Sequence, residues 1–123
     1  MQPASPEATR LARRLRQLRE QQWPDARLTQ KTLARAFSVE EALAAATVSS
    51  WESGSAPKIP PRHRLRAYAR FFATPRSIER SPTLLPWEDL TSDERAACNQ
   101  LWAEVAVLLR QADAAQQPDH RPE

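Results

Sequence analysis

Apolar side chains recur at helical spacing along most of the 123-residue chain, in stretches separated by proline-rich or polar breaks. Leu11, Leu15 and Leu18 line one face of a first helix. Ser5-Pro6-Glu7 suits its start, with a capping hydroxyl, a proline in the first turn and an acid facing the positive end of the dipole. Trp23-Pro24 predicts its end near Gln22, because a residue before proline avoids the α region. A second helix is predicted from a Thr29 cap, with Leu33, Ala34 and Phe37 inward. Ser38 and Glu41 have capping-box spacing and predict a helical restart, after which Leu43, Val48 and Trp51 share an inner face. Gly54 stands where a left-handed helix C-cap would favour it. A fourth helix is predicted over about 62–73, with Leu65, Tyr68, Ala69 and Phe72 inward and Arg62, Arg66 and Arg70 as a separate stripe. A second capping box, Thr91 and Glu94, opens a last helix running to about Gln111. Residues 1–7, with two prolines, and 113–123 read as disordered, and 75–90, with Pro75, Pro82 and Pro86, as a linker.

Composition narrows the class. One glycine against eleven prolines argues against a hairpin-rich β fold, so the expected fold is all-α: a compact four- to five-helix domain over 8–74, then a C-terminal helix over 91–112. No stretch approaches the ~20 apolar residues of a membrane helix, and the first residues lack the apolar run of a signal peptide, so a cytoplasmic setting and no membrane partner are expected. Cys98, the single cysteine, excludes an internal disulfide and reads as a packing thiol. His63 and His120 have no metal-ligand spacing, and no cofactor is expected. No nucleophile–base pair or phosphate-cradling glycine loop is present, and a binding protein is expected rather than an enzyme. No small-molecule pocket is legible.

The net charge of +3 hides an asymmetry. Residues 1–76 hold 14 Lys+Arg against 6 Asp+Glu, and 77–123 hold 4 against 9. A basic front half suits a polyanion, although small arginine-rich domains are also basic without one.

The order Leu28-Thr29-Gln30, Leu33-Ala34, then Thr47-Val48-Ser49-Ser50-Trp51-Glu52-Ser53-Gly54, followed by Leu65, Tyr68-Ala69 and Phe72, resembles the XRE family, the lambda-repressor-like helix-turn-helix DNA-binding domains. The resemblance implies a bacterial transcription regulator that binds double-stranded DNA, commonly as a homodimer. It implies base-facing roles for Ala45, Ala46, Thr47 and Ser50, and an inward face for Val48 and Trp51. It implies phosphate contacts from Gln30, Lys31, Ser53, Ser55 and Lys58, with Arg62 and Arg66 as further candidates whose plainer reading is a solvated face. The helix 1 arginines stand in the same position. Tyr68 reads as a core side chain with a wet hydroxyl.

Two departures from the family pattern stand out. Ser38 to Ala42 lengthens the connection between helices 2 and 3 by about four residues, forming either an extra turn or a longer recognition helix. The recognition helix also offers alanine, threonine and serine instead of the arginine, lysine, asparagine or glutamine that read bases bidentately. Specificity would then come from methyl contacts, DNA shape or dimer spacing; the alternative is an antitoxin-like or anti-repressor-like protein-interaction module. The broad apolar stripe of the last helix, with Leu101, Trp102, Val105, Leu108 and Leu109, either pairs with a second copy or folds back onto helix 1. The acidic back half suits contact with a further domain or protein partner, and the proline-punctuated C-terminus suits a boundary with such a domain.

Overall fold

A computed structural model describes residues 5–39 and 41–116. The described residues form five α-helices and no strand: α1 (Pro6–Gln21), α2 (Gln30–Ala36), α3 (Ala45–Trp51), α4 (Arg62–Phe71) and α5 (Ser92–Gln116). The expected disorder of residues 1–4 and 117–123, with His120, lies outside the described residues. Residues 5–7 instead begin α1, and 113–116 continue α5.

Local chemistry sets most boundaries. Ser5 Oγ accepts from Ala8 N at 3.1 Å and starts α1. Trp23 leaves the helical region at φ −135°, ψ 80° before Pro24, which ends it. Thr29 Oγ1 accepts from Thr32 N at 3.0 Å and caps α2. Thr91 and Glu94 exchange reciprocal capping bonds of 2.8 and 3.1 Å at the head of α5.

Two of the local expectations fail. Ser38 caps no helix. It lies in a 3-10 turn, Phe37–Val39, where its Oγ donates to Ala34 O at 2.8 Å and accepts from Leu43 N at 3.0 Å. The added residues therefore form neither an extra α-helical turn nor an extension of α3, which starts only at Ala45. Gly54 takes no left-handed conformation; Arg27 does, at φ 50°, where the chain turns from α1 into α2. A non-glycine residue there costs about 1–2 kcal/mol.

The core joins every helix. Leu11, Leu15 and Leu18 of α1 meet Leu33, Val48, Trp51, Leu65, Tyr68 and Phe72. Phe37 stands edge-to-face against Tyr68 at 5.2 Å and Phe71 at 5.7 Å. Each buried Leu or Phe contributes about 1.5–3 kcal/mol through loss of water contact. Helix α5 lies against α1 and α4, and Val105, Leu109 and Ala112 are buried in the same core. Its apolar stripe thus folds back on helix 1. Val105 and Leu109, candidates for pairing with a second chain, are enclosed by their own chain. Leu101, Trp102 and Leu108 are half-buried against the core.

Residues 75–90 are a packed strap rather than a loose linker. Ser77, Leu84 and Leu90 are buried, and Thr83 N donates to Ser77 O at 2.8 Å. Arg76 donates twice to the Glu94 carboxylate, at 2.8 and 2.7 Å, and to Asp89 O at 2.8 Å. Arg76, with the Thr74 hydroxyl and the Thr91 N–H, holds the Glu94 carboxyl well below the usual carboxylate range.

Candidate nucleic-acid interface

The orientation of α3 follows from its two large apolar residues. Val48 and Trp51 are buried, which turns Ala46, Thr47 and Ser49 outward and leaves Ser50 half-exposed. Ala45 packs half-buried against the core, so of the four expected base-facing positions it is the one turned inward. Ser49, whose hydroxyl suits bonds to several bases but which stands outside the four expected base-facing positions, takes a place on the exposed face.

Two arginines hold the helix pair. Arg64 of α4 is buried, and its guanidinium donates to Phe37 O at 2.7 Å and Glu41 O at 3.0 Å. It fixes the start and the middle of the glycine-free connection between α2 and α3. Arg19 of α1 donates from Nε to both Glu52 oxygens at 3.0 Å and from a terminal nitrogen to Leu28 O at 2.9 Å. Gln30 Nε2 donates to Glu52 Oε1 at 3.1 Å. Glu52, buried just past α3, therefore ties the start of α2 and the end of α3 to α1. Tyr68 lies beside this group. Its hydroxyl is buried and has no hydrogen-bond partner among the described residues, and burial first, then the Glu52 charge, pushes its pKa well above the usual phenol value.

Around α3, Lys31 and Lys58 are exposed and form no ion pair among the described residues. Lys58 N donates to Ser50 O at 2.9 Å, which closes the following loop onto the end of α3. Within that loop Ser53 Oγ accepts from Ser55 N and Ala56 N at 3.3 and 3.1 Å, so its oxygen is engaged in an internal turn. Ser55 is exposed. Gln30 is half-buried, with its amide N–H committed to Glu52.

Arg62 and Arg66 both approach α5, and Arg62 also borders a hollow with Lys58 of the loop after α3. Their guanidinium carbons lie 5.8 and 4.8 Å from the Trp102 ring centre, on the seam between α4 and α5. In α1, Arg14 pairs with Glu104, Arg16 with Glu20 and Arg19 with Glu52. Of the five arginines of α1, Arg10 and Arg13 lack a carboxylate partner among the described residues. His63 faces Glu41 at 3.7 Å on the exposed side of α4.

The roles of Arg19, Glu52 and Arg64 in tying the helices together escaped the sequence reading. A weak signal existed: Glu52 follows the inward Trp51 directly, and Arg64 precedes the inward Leu65, positions at the edge of a buried face. The bonds that join separate helices, Arg19 to Glu52 and Arg64 to Phe37 and Glu41, span more than 20 residues, beyond any local pattern.

The family model described as a helix-turn-helix domain matches residues 10–81. No curated protein and no solved structure matches the chain. Among the described residues no helix is long and apolar enough to cross a membrane. With the family match covering more than half of its length, and α2 and α3 arranged as described, the chain belongs to the helix-turn-helix domain family.

Proposed function

We propose that this protein binds double-stranded DNA sequence-specifically as a bacterial transcription regulator in the cytoplasm, by a non-catalytic mechanism with α3 in the major groove. The observation that carries the reading is the outward face of α3, where Ala46, Thr47, Ser49 and Ser50 project while Val48 and Trp51 anchor the helix. Small side chains allow close approach to base edges. The alanine methyl suits a thymine methyl, and the hydroxyls bond to several bases with little discrimination. Much of the specificity then comes from DNA shape and from the spacing of half-sites.

Lys31 and Lys58 supply the charge beside this face, and Gln30 and Ser55 supply polar contacts to phosphate or sugar. Arg66 faces α5 and is not needed for this role, whereas Arg62, which borders a hollow with Lys58, can add a further phosphate contact. Pairing of two copies uses Leu101, Leu108 and the exposed Val107 rather than the enclosed Val105 and Leu109. Two half-sites would then lie about one duplex turn apart.

The second reading, a protein-interaction module, is favoured by the absence of Arg, Lys, Asn or Gln from α3. Selection from a random duplex pool at two salt concentrations separates the two. DNA binding predicts an enriched motif whose affinity falls with salt at a log–log slope of about 0.9 per neutralised phosphate. No enrichment together with a stable, stoichiometric protein complex supports the second reading.

A further inference from the structure

A hollow of about 320 Å³ opens on the seam between α4 and α5, away from the outward face of α3. Arg66 and Arg70 of α4 form one wall, Cys98, Asn99 and Trp102 of α5 the other, and Trp87 of the strap closes one side. We propose that this hollow is a binding site for a small planar aromatic carboxylate.

Three observations converge on that ligand. First, the cations are unspent: neither Arg66 nor Arg70 makes a side-chain hydrogen bond or ion pair among the described residues, and Arg70 Nε is buried without a partner. Arg70 Nε is itself sealed from solvent, but the terminal nitrogens of Arg70 are not, and a carboxylate in the hollow would meet them beside Arg66. Second, the Arg66 guanidinium lies over Trp102 at 4.8 Å. Stacking occupies the guanidinium face and leaves its in-plane N–H fork, whose geometry fits a carboxylate with two parallel bonds. Third, two indoles border the space, and Trp87 is among the few large apolar side chains exposed in the described structure. Indole surface beside unmatched donors selects a ring that carries a negative group over either feature alone.

The volume lies at the lower end of the ~300–1,000 Å³ found for small-molecule sites, which fits one or two fused rings rather than a dinucleotide. The ligand would bridge α4 of the helix-turn-helix unit to the strap and α5. Binding at this seam needs no DNA, so it stands or falls apart from the proposed DNA function.

The test is a two-dimensional ¹⁵N NMR titration of the full chain with indole-3-acetate, read at the indole N–H signals of its four tryptophans. The signals of Trp87 and Trp102 are expected to move saturably, with half-saturation near or below about 1 mM for a ligand of this size, while those of Trp23 and Trp51 stay in place. Indole alone and acetate alone are expected to bind at least about tenfold more weakly. Arg66→Gln removes the charge from an exposed position and is expected to weaken binding by at least about tenfold. Asn99→Phe, on the exposed face of α5, fills the hollow and is expected to abolish it, with both variants keeping the wild-type circular dichroism spectrum. The proposal is overturned if the Trp87 and Trp102 signals do not move, if either control matches indole-3-acetate, or if both folded variants bind like the wild type.

Discussion

The α2–α3 pair and the α1–α5 pair are held in opposite ways. Helices α2 and α3 have seven residues each, too short to be stable alone and too short to bury much surface. Directional bonds position them: Glu52 to Arg19 and Gln30, and Arg64 to two carbonyls of the intervening turn. Helices α1 and α5 have 16 and 25 residues, bury Leu11, Leu15, Val105, Leu109 and Ala112 in one core, and share a single partly exposed ion pair, Arg14–Glu104, among the described residues. Apolar contact tolerates small sliding, whereas a carboxylate shared between an arginine and a glutamine does not. The side of the molecule proposed to read a duplex is therefore set in register by buried polar groups, at a desolvation cost that apolar packing elsewhere offsets.

The contrast can be broken most strongly at Glu52. Glu52→Ala leaves the Arg19 charge buried without its partner and is expected to cost about 3–5 kcal/mol in denaturant unfolding. A loss under about 1 kcal/mol would show that the tie does not hold the pair. On the apolar side, Leu109→Ala should cost about 2–5 kcal/mol through the cavity it leaves. That loss should not depend on protein concentration, because Leu109 is enclosed by its own chain; a loss that shrinks at high concentration would place the residue between copies. The strap offers a pH test. Glu94 has a depressed folded pKa, so its stabilisation is complete above the unfolded carboxylate value of about 4.3 and is lost as pH falls below it. Glu94→Gln should flatten the fall in melting temperature between pH 5 and 2 relative to wild type, and an unchanged slope would remove the Arg76 pair from the acid response. The smallest effect is expected at Gly54. A Cβ there meets nothing within 4 Å and the backbone has no positive φ, so Gly54→Ala should change stability by no more than about 0.5 kcal/mol.

What could be read from the chain divides along the same line. The caps at Ser5 and Thr29 and the Thr91–Glu94 box act over three residues, and the inward faces of α1, α2 and α4 repeat at helical spacing, so local pattern sufficed. Ser38 and Glu41 have capping-box spacing, yet Arg64 from a distant helix binds the Glu41 carbonyl and Ser38 is drawn back to Ala34. The strap has loop composition but buries Leu84 and Leu90, and Leu84 joins the core and borders a hollow with Val39 and Arg70, partners far away in sequence. The stripe on α5 was compatible with a second chain or with α1, and only the folded chain decides between them. At the candidate interface, Thr47 and the exposed Lys58 followed from motif register. The inward turn of Ala45 and the diversion of Arg62 and Arg66 to Trp102 depend on packing that no spacing encodes.

The central claim is that α3, flanked by unpaired lysines, reads a duplex. Salt dependence of duplex affinity, measured on the selected sequence for wild type and for Lys31→Gln/Lys58→Gln, tests it most directly. The account predicts that the double variant lowers the log–log slope by up to about 1.8, roughly 0.9 for each lost phosphate contact, while Arg76→Gln on the strap leaves it unchanged. An unchanged slope in the double variant, or no salt-dependent duplex binding by the wild type, would contradict it.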